Sequence, residues 1–348
     1  MENRKNILMF GGNSDERFVS VASAQNLART MSENSKTPFA ELWFISVDGR
    51  LTLVSLEELS RHENPFKTEF KPGGTSTDNS VHEAIKRLSG AHHVVFIGFH
   101  GTFGEDGKVQ AMLEESSVPF TGSGSKSSHL CFEKTLTKKV VSEHKIKVAP
   151  EIILDSDDDA FETRLTAFLR THGKIVVKPV ANGSSIGLHI VKDETGFRKA
   201  IEEIRLAKPG RLMSEKFIEG RELTVGIVDM GSGNLKALPP SEVLLNAGAT
   251  FDYDGKYLGR GTTEITPAKI TGPECDLAQK TALEAHRSLG CFGYSRTDLI
   301  LSDGEIYFIE TNTLPGLTKA SFIPQQLASA GITVAQFVEQ QLANAVER

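Results

Sequence analysis

Sulfur is scarce in this chain, whose only cysteines are Cys131, Cys275 and Cys291. Three is an odd number and no Cys-x-x-Cys occurs, so neither a disulfide framework nor a paired-cysteine zinc site is indicated. Idle or buried thiols in a reducing compartment are the expectation. Long apolar runs are missing too. No stretch approaches the roughly 20 residues needed to span a bilayer, and Met1-Glu-Asn-Arg-Lys5 leads into a run too short for a secretory segment. Positive charge is not in excess. The formal net charge is −6, the pI is near 6.0 and the basic residues are scattered, which argues against nucleic acid or an anionic membrane as partner. Two common nucleotide signatures are absent: Gly107-Lys108 is followed by Val109 with no glycine five residues earlier, and no Gly-x-Gly-x-x-Gly follows a strand. Internal repeats and low-complexity tracts are also lacking. A soluble cytoplasmic protein is expected.

What is present reads as α/β. At 348 residues the chain suffices for two or three domains. Asn6–Phe10, Glu41–Val47 and His93–Phe99 are continuous apolar runs of the kind found in parallel sheets covered on both faces. Helical segments around Val19–Arg29 and Val81–Leu88 alternate with them, as in βαβ units. Ligands of such sheets bind beyond the carboxyl ends of the strands, where Gly11–Ser20 and His100–Gly107 fall. The small-residue segment 122–128 marks a boundary, and a second α/β unit runs to about Met213. The third unit holds a long loop, Leu245–Ile265. Val334, Phe337, Val338, Leu342 and Val346 have helical spacing and are assigned to core packing, with a dimer contact as the lesser alternative.

Two distant segments carry the chemistry. Lys178-Pro-Val-Ala-Asn-Gly-Ser-Ser-Ile-Gly187 is a basic strand end running into a small-residue loop. Backbone N–H groups of such a loop can approach phosphate oxygens closely, although Gly183-Ser184-Ser185 also reads as an ordinary hairpin turn. The second segment is Arg296-Thr-Asp-Leu-Ile-Leu with Ile309-Glu-Thr-Asn-Thr-Leu-Pro-Gly316. By alternation Arg296 and Asp298 share one face, and Ile306, Phe308, Glu310 and Asn312 form another same-face set. A turn at Ser302-Asp303-Gly304 sets Asp298 opposite Glu310 and Arg296 opposite Asn312. Like charges directly opposite are destabilising, so a hard divalent ion with oxygen ligands fits between them. The alternative is a set of solvent-facing charges at strand ends. A polyphosphate site and a Mg²⁺ site together suggest an ATP-dependent enzyme.

From about Ile7 to Ile332 the chain resembles the D-alanine–D-alanine ligases of the ATP-grasp superfamily. The resemblance rests on motifs in one order: Gly11-Gly-Asn-Ser-Asp-Glu-Arg-Phe-Val-Ser20, His100-Gly-Thr-Phe-Gly-Glu-Asp-Gly107 with Gln110 and Leu113-Glu114, Pro119–Ser123, and Glu133-Lys134. The Lys178–Gly187 loop, Glu215-Lys-Phe-Ile, Gly220-Arg-Glu-Leu-Thr-Val225, Phe251-Asp-Tyr-Asp-Gly-Lys-Tyr257 and the hairpin follow. The resemblance implies an α/β, three-domain ATP-grasp architecture with an N-terminal Rossmann-like parallel sheet. The division expected is 1–122 as substrate domain, 123–214 as central ATP-grasp subdomain, and 215–348 as C-terminal subdomain with metal site and lid loop. It also implies phosphorylation of one D-alanine by ATP and attack of a second on the acyl phosphate, for peptidoglycan precursors.

Residue by residue, the resemblance places Glu16, Ser184, Tyr257, Arg296 and Gly316 in the catalytic group. Glu16 grips the first substrate's ammonium, and Glu16, Ser184 and Tyr257 form a triad that closes the loop over the site. His100, Glu105, Ser321 and Phe322 fall to the substrates. Lys134, Lys178, Ser185, Glu215, Lys216, Glu222 and Lys256 fall to ATP. Asp298, Glu310 and Asn312 would hold two Mg²⁺ ions, with Mn²⁺ as an alternative. A homodimer is the expected assembly. Three departures stand out: Lys319-Ala320 in place of a small hydroxyl residue followed by His or Tyr, Phe322 for a common Leu, and Phe251 for a usual Tyr. The first two flank the second-substrate subsite, which leaves D-serine or D-lactate as alternatives there. A nucleotide-binding protein without catalysis is the remaining alternative.

Overall fold

The computed structural model describes residues 4–90, 92–180, 187–245 and 262–348. Its first sheet is built from β1 (Lys5–Gly11), β2 (Phe39–Ile45), β3 (Leu51–Val54) and β4 (His93–Ile97), in the order β3-β2-β1-β4. Strand β1 runs parallel to β2 and β4, and the apolar centres Ile7–Phe10 and Val94–Ile97 are fully buried. Strand β3 is antiparallel to β2. The five residues between them allow only a reverse turn, whereas a parallel return needs a dozen or more. Helices α1 (Arg17–Asn34), α2 (Leu56–Arg61), α3 (Val81–Leu88) and α4 (Lys108–Glu115) cover this sheet.

Helices α5 (Ser125–Phe132) and α6 (Lys134–Glu143) lead into a second, antiparallel sheet. It comprises β5 (Glu151–Asp155), β6 (Ile175–Pro179), β7 (His189–Val191) and β8 (Arg211–Lys216), ordered β5-β8-β6-β7. Helices α7 (Phe161–His172) and α8 (Glu194–Ala207) cover it through Leu165, Phe168, Ile201 and Ile204.

The third sheet runs β12-β11-β9-β13-β14, with β10 on β9. Its strands are β9 (Arg221–Asp229), β10 (Leu235–Ala237), β11 (Ser241–Leu245), β12 (Thr262–Ile265), β13 (Tyr294–Ser302) and β14 (Glu305–Asn312). Helix α9 (Gly272–Ser288), started by a Thr271/Glu274 capping box, packs Ala278, Ala282 and Ala285 onto Leu299, Leu301, Ile306 and Phe308. Helices α10 (Phe322–Ser329) and α11 (Val334–Glu347) close the chain. Phe337, Val338 and Leu342 of α11 are buried in the core shared with the first sheet. There the Tyr294 ring stands between Phe96, at 6.4 Å, and Phe337, at 5.2 Å. Each such buried ring contributes about 1.5–3 kcal/mol, so this contact ties the third sheet to the first.

The β13–β14 hairpin corrects one expectation from strand alternation. Its turn is the two residues Asp303-Gly304, both with positive φ, as a tight hairpin of right-handed twist requires. That turn pairs Leu299 with Phe308, yet Asp298 pairs with Glu310, because a bulge intervenes. The bulge breaks the two-residue period. Ile306 and Phe308 therefore face α9, while Glu310 and Asn312 join Arg296 and Asp298 on the opposite face.

Candidate active site

Strand register assembles the centre of the site. Thr224, Asp298 and Glu310 stand abreast across β9, β13 and β14, and Gly226, Arg296 and Asn312 form the next rung. Cross-strand partners share a face, so two carboxylates meet there. Arg296 donates from its guanidinium to both oxygens of Asp298, at 2.9 and 2.7 Å, and the Thr224 hydroxyl donates to Asp298 Oδ1 at 2.7 Å. Lys134 Nζ lies 3.4 Å from Glu310 Oε2. Asn312 Oδ1 accepts from the Leu314 N–H at 2.8 Å, which fixes the amide where the chain turns towards Gly316. Two carboxylates and an amide oxygen form a hard donor set that fits Mg²⁺. Such ions take one or two carboxylates and fill the remaining positions with water and phosphate oxygens. Among the described residues no group of three or more His, Cys, Asp or Glu side chains could hold a metal by itself.

The first sheet contributes the loops after β1 and β4. Glu16 is buried at the N-cap of α1, with its backbone N–H donating to Ser14 Oγ at 2.9 Å. Gly101 faces it with φ +72°, and a Cβ there would lie 2.2 Å from Ser14 Oγ and 2.9 Å from Glu16 Oε2. Only glycine fits both the conformation and the space. Buried His100 lies within hydrogen-bonding distance of the Leu314 carbonyl oxygen through Nδ1, at 2.9 Å, and of the Ser23 hydroxyl through Nε2, at 3.0 Å. A carbonyl only accepts, so Nδ1 carries the proton and Nε2 accepts from Ser23. Burial holds the His100 pKa below its ordinary value against the opposing pull of Glu16, which keeps the ring neutral. It is a strut between the first sheet and the loop after β14. Glu105 Oε1 accepts from the Gly101 N–H at 3.0 Å. Burial, reinforced by the charge of Glu16, pushes the Glu105 carboxyl up to about 8.

The second sheet contributes cations. Lys178 at the end of β6 is buried with Nζ 2.5 Å from Glu215 Oε2 on β8. Burial, together with Lys138 and Lys134, brings its ammonium down to about 7. Lys216 at the end of β8 is exposed, and Glu222 on β9 is half-buried, so these two lie on either side of the link from the second sheet to the third.

Beyond the hairpin, Ser321 is the N-cap of α10. Its Oγ accepts from the Thr318 N–H at 3.1 Å, and a Cβ on Gly316 would lie 2.8 Å from that oxygen. Phe322 is buried behind it, whereas Lys319 and Ala320 are exposed. Ser184, Ser185, Lys256, Tyr257 and Phe251 lie outside the described residues. Three of the described candidates sense the hairpin charges: Arg296 acts electrostatically on both His100 and Glu105, and Glu310 on both Glu105 and Lys178.

Thr224, quoted in the sequence only as part of Gly220–Val225, is set against Asp298 by the fold, and α6 carries a further buried lysine, Lys138. Thr224 could have been found as the strand neighbour of Asp298. Lys138 sits one helical turn after Lys134, on the same face of α6.

Residues 5–123 match the family model for the D-ala D-ala ligase N-terminus, and residues 141–343 match that for the D-ala D-ala ligase C-terminus. The D-alanine--D-alanine ligase of Leptospira interrogans (serovar Lai) is 34% identical over 339 residues, covering 93% of either chain. That of Syntrophobacter fumaroxidans is 38% identical over 243 residues, covering 68% of this chain and 75% of its own. Among solved structures, the VanG D-Ala:D-Ser ligase of Enterococcus faecalis has a TM-score of 0.79 at 26% identity, covering 99% of this chain and all of its own. The D-alanine-D-alanine ligase of Coxiella burnetii has a TM-score of 0.79 at 27% identity, covering 100% of this chain and 95% of its own. Among the described residues no helix is long and apolar enough to cross a membrane.

Proposed function

The chain belongs to the D-alanine–D-alanine ligase family, and from that footing we infer that it joins two D-alanines in an ATP-dependent reaction to give the dipeptide used in peptidoglycan precursors. The observation that carries this reading is the rung Thr224–Asp298–Glu310 beside Arg296 and Asn312, with the lysines of α6 and β6 and the Glu16–Gly101–Glu105 loops arranged around it. Such an array positions and neutralises anions. That suits transfer of a phosphoryl group to a carboxylate followed by aminolysis.

In this reading Glu16 receives the ammonium of the first D-alanine. Glu105, protonated near neutral pH, adds little competing charge beside it, and neutral His100 holds the two loops in place. The first carboxylate attacks the γ-phosphorus of ATP, and ADP leaves. Lys134 and Lys178 balance the polyphosphate, with Ser185 and Lys256 assigned beside them, and Glu215, Lys216 and Glu222 are assigned to the nucleoside. Asp298, Glu310 and Asn312 would hold Mg²⁺, which when bound supplies positive charge to the phosphate oxygens. The second D-alanine, its carboxylate at Ser321 on the N-terminus of α10, attacks the carbonyl through its amine, and phosphate departs. Arg296, a planar and permanently charged fork, stabilises both the transferring phosphoryl group and the tetrahedral intermediate. Gly316 allows the close approach to Ser321. Ser184 and Tyr257 complete the proposed triad with Glu16. A cytoplasmic homodimer is part of the same proposal, to be weighed by light scattering.

The test is phosphate release from ATP and Mg²⁺ with D-alanine alone, with the product identified by mass. Phosphate together with D-alanyl-D-alanine supports the reading. Turnover only on adding D-serine or D-lactate would move the specificity to Lys319-Ala320. No turnover with any D-substrate, despite nucleotide binding, would leave a non-catalytic ATP-binding protein.

A further inference from the structure

Among the described residues, the most deeply buried lysine near the site has no place in the chemistry described so far. Lys138 on α6 is 1% exposed. Its ammonium lies 3.0 Å from Glu151 Oε2 and forms an ion pair with Glu215 Oε1. Glu151 and Glu215 are direct cross-strand partners on β5 and β8, so without a cation between them two carboxylates would face each other. The other oxygen of Glu215 holds Lys178. Glu215 is thus shared, one oxygen to each lysine. Lys138 sits a full turn behind Lys134 on the helix and is sealed from solvent, so it is placed to act on the carboxylates and has no direct route to a ligand.

We propose that Lys138 is a positioning residue for ATP binding: by taking up Glu151 and one oxygen of Glu215, it prevents Glu215 from clamping Lys178 and leaves the Lys178 ammonium available to phosphate. Among the described residues, the cluster of Lys134, Lys138 and Lys178 against Glu151, Glu215 and Glu310 has three formal charges of each sign. Removing the Lys138 charge leaves an excess carboxylate, whose nearest cation is Lys178. Polyphosphate must then compete with a bidentate carboxylate for that ammonium. Charge-assisted contacts of this kind are roughly twice as strong as neutral hydrogen bonds, so the competition falls on nucleotide affinity more than on turnover.

The inference rests on the ATP site proposed above, and a double-mutant cycle tests it. KM for ATP, kcat and the dissociation constant of the Mg²⁺ complex of a non-hydrolysable ATP analogue are measured for wild type, Lys138→Met, Lys138→Arg, Glu215→Gln and the Lys138→Met/Glu215→Gln double variant. Lys138→Met is expected to raise KM and the analogue's dissociation constant about tenfold or more, corresponding to about 1.4 kcal/mol, with kcat changed by less than about threefold. Lys138→Arg restores most of the loss. In the Glu215→Gln background the same substitution has less than about a threefold effect, since coupled residues are non-additive. An unchanged dissociation constant in Lys138→Met, or the same factor in both backgrounds, overturns the proposal. A fall in kcat with KM unchanged would mark a structural role and overturn it equally. Should Lys138→Met not accumulate as folded protein, Lys138→Gln, which keeps a donor and loses only the charge, decides by the same criteria. Wild type that binds the analogue but forms no dipeptide would overturn the ligase reading alone, and the binding cycle would still judge Lys138.

Discussion

Replacing Arg296 by Ala separates turnover from nucleotide binding. The guanidinium makes two charge-assisted hydrogen bonds to Asp298, in a site where the two side chains are 13% and 10% exposed. Among the described residues, its loss leaves Asp298 with the Thr224 hydroxyl as hydrogen-bond donor, directly opposite Glu310. Breaking a buried pair costs about 3–5 kcal/mol, and both side chains keep some exposure, so the lower end, about 3 kcal/mol of stability, is expected. In catalysis, removing one preorganised group that meets developing charge lowers kcat about 10²–10³-fold, or roughly 2.7–4 kcal/mol. Lys134 and Lys178 remain to meet the phosphates, so KM for ATP should move by less than about threefold, well under 1 kcal/mol. Arg296→Lys keeps the charge but loses the fork, and should recover only part of kcat. Steady-state kinetics with continuous phosphate detection reads both constants, and a melting curve at the assay temperature verifies that the variant is folded. A kcat within about threefold of wild type would refute the role assigned to Arg296, as would a rise in KM as large as the fall in kcat.

Further outcomes follow from the same site. Lys178, at about 7 in the free protein, loses its proton as pH rises through that value, so kcat/KM for ATP should fall above neutrality and ATP binding at pH 8 should take up protons, measurable by calorimetry in two buffers. An unfolded lysine keeps its proton to about 10.4, so between about 7 and 10 this group makes folding stability rise with pH. A pH-independent kcat/KM for ATP from 6 to 9 would contradict the assignment. Glu105 has the opposite sign: its carboxyl is raised to about 8, so folding favours the protonated form and stability declines as pH rises from about 4.3 towards 8. Glu105→Gln should therefore gain in melting temperature relative to wild type on going from pH 5 to pH 8, and a constant difference would count against a protonated Glu105. Gly316→Ala introduces a methyl 2.8 Å from Ser321 Oγ and should raise KM for the second amino acid about tenfold, with KM for the first changed little, because a tight contact of this kind costs about 1–3 kcal/mol.

Much of this arrangement was legible in the sequence. The apolar runs ending near Phe10 and Phe99 gave β1 and β4, and the loops after them carry Glu16 and His100 as parallel-sheet rules require. The pairings Arg296–Asn312 and Asp298–Glu310 were also readable. Their faces were not, because a bulge leaves no mark on residue parity and the alternation rule carried Ile306 and Phe308 to the wrong side. The antiparallel β3 follows from connection length, a weaker signal than the run of apolar residues. Lys138 escaped because a lysine in an amphipathic helix ordinarily faces solvent. Only the fold brings Glu151 and Glu215 together behind it.

In the proposed reaction the first substrate's carboxylate is activated by phosphorylation before the peptide bond forms. Turnover with D-alanine labelled with heavy oxygen in its carboxylate tests this directly. In the acyl phosphate route one carboxylate oxygen bridges carbon and phosphorus, and cleavage at carbon sends it away with phosphate. Mass analysis should therefore find one labelled oxygen in each phosphate released with a dipeptide. Dipeptide accompanied by unlabelled phosphate would contradict an acyl phosphate intermediate.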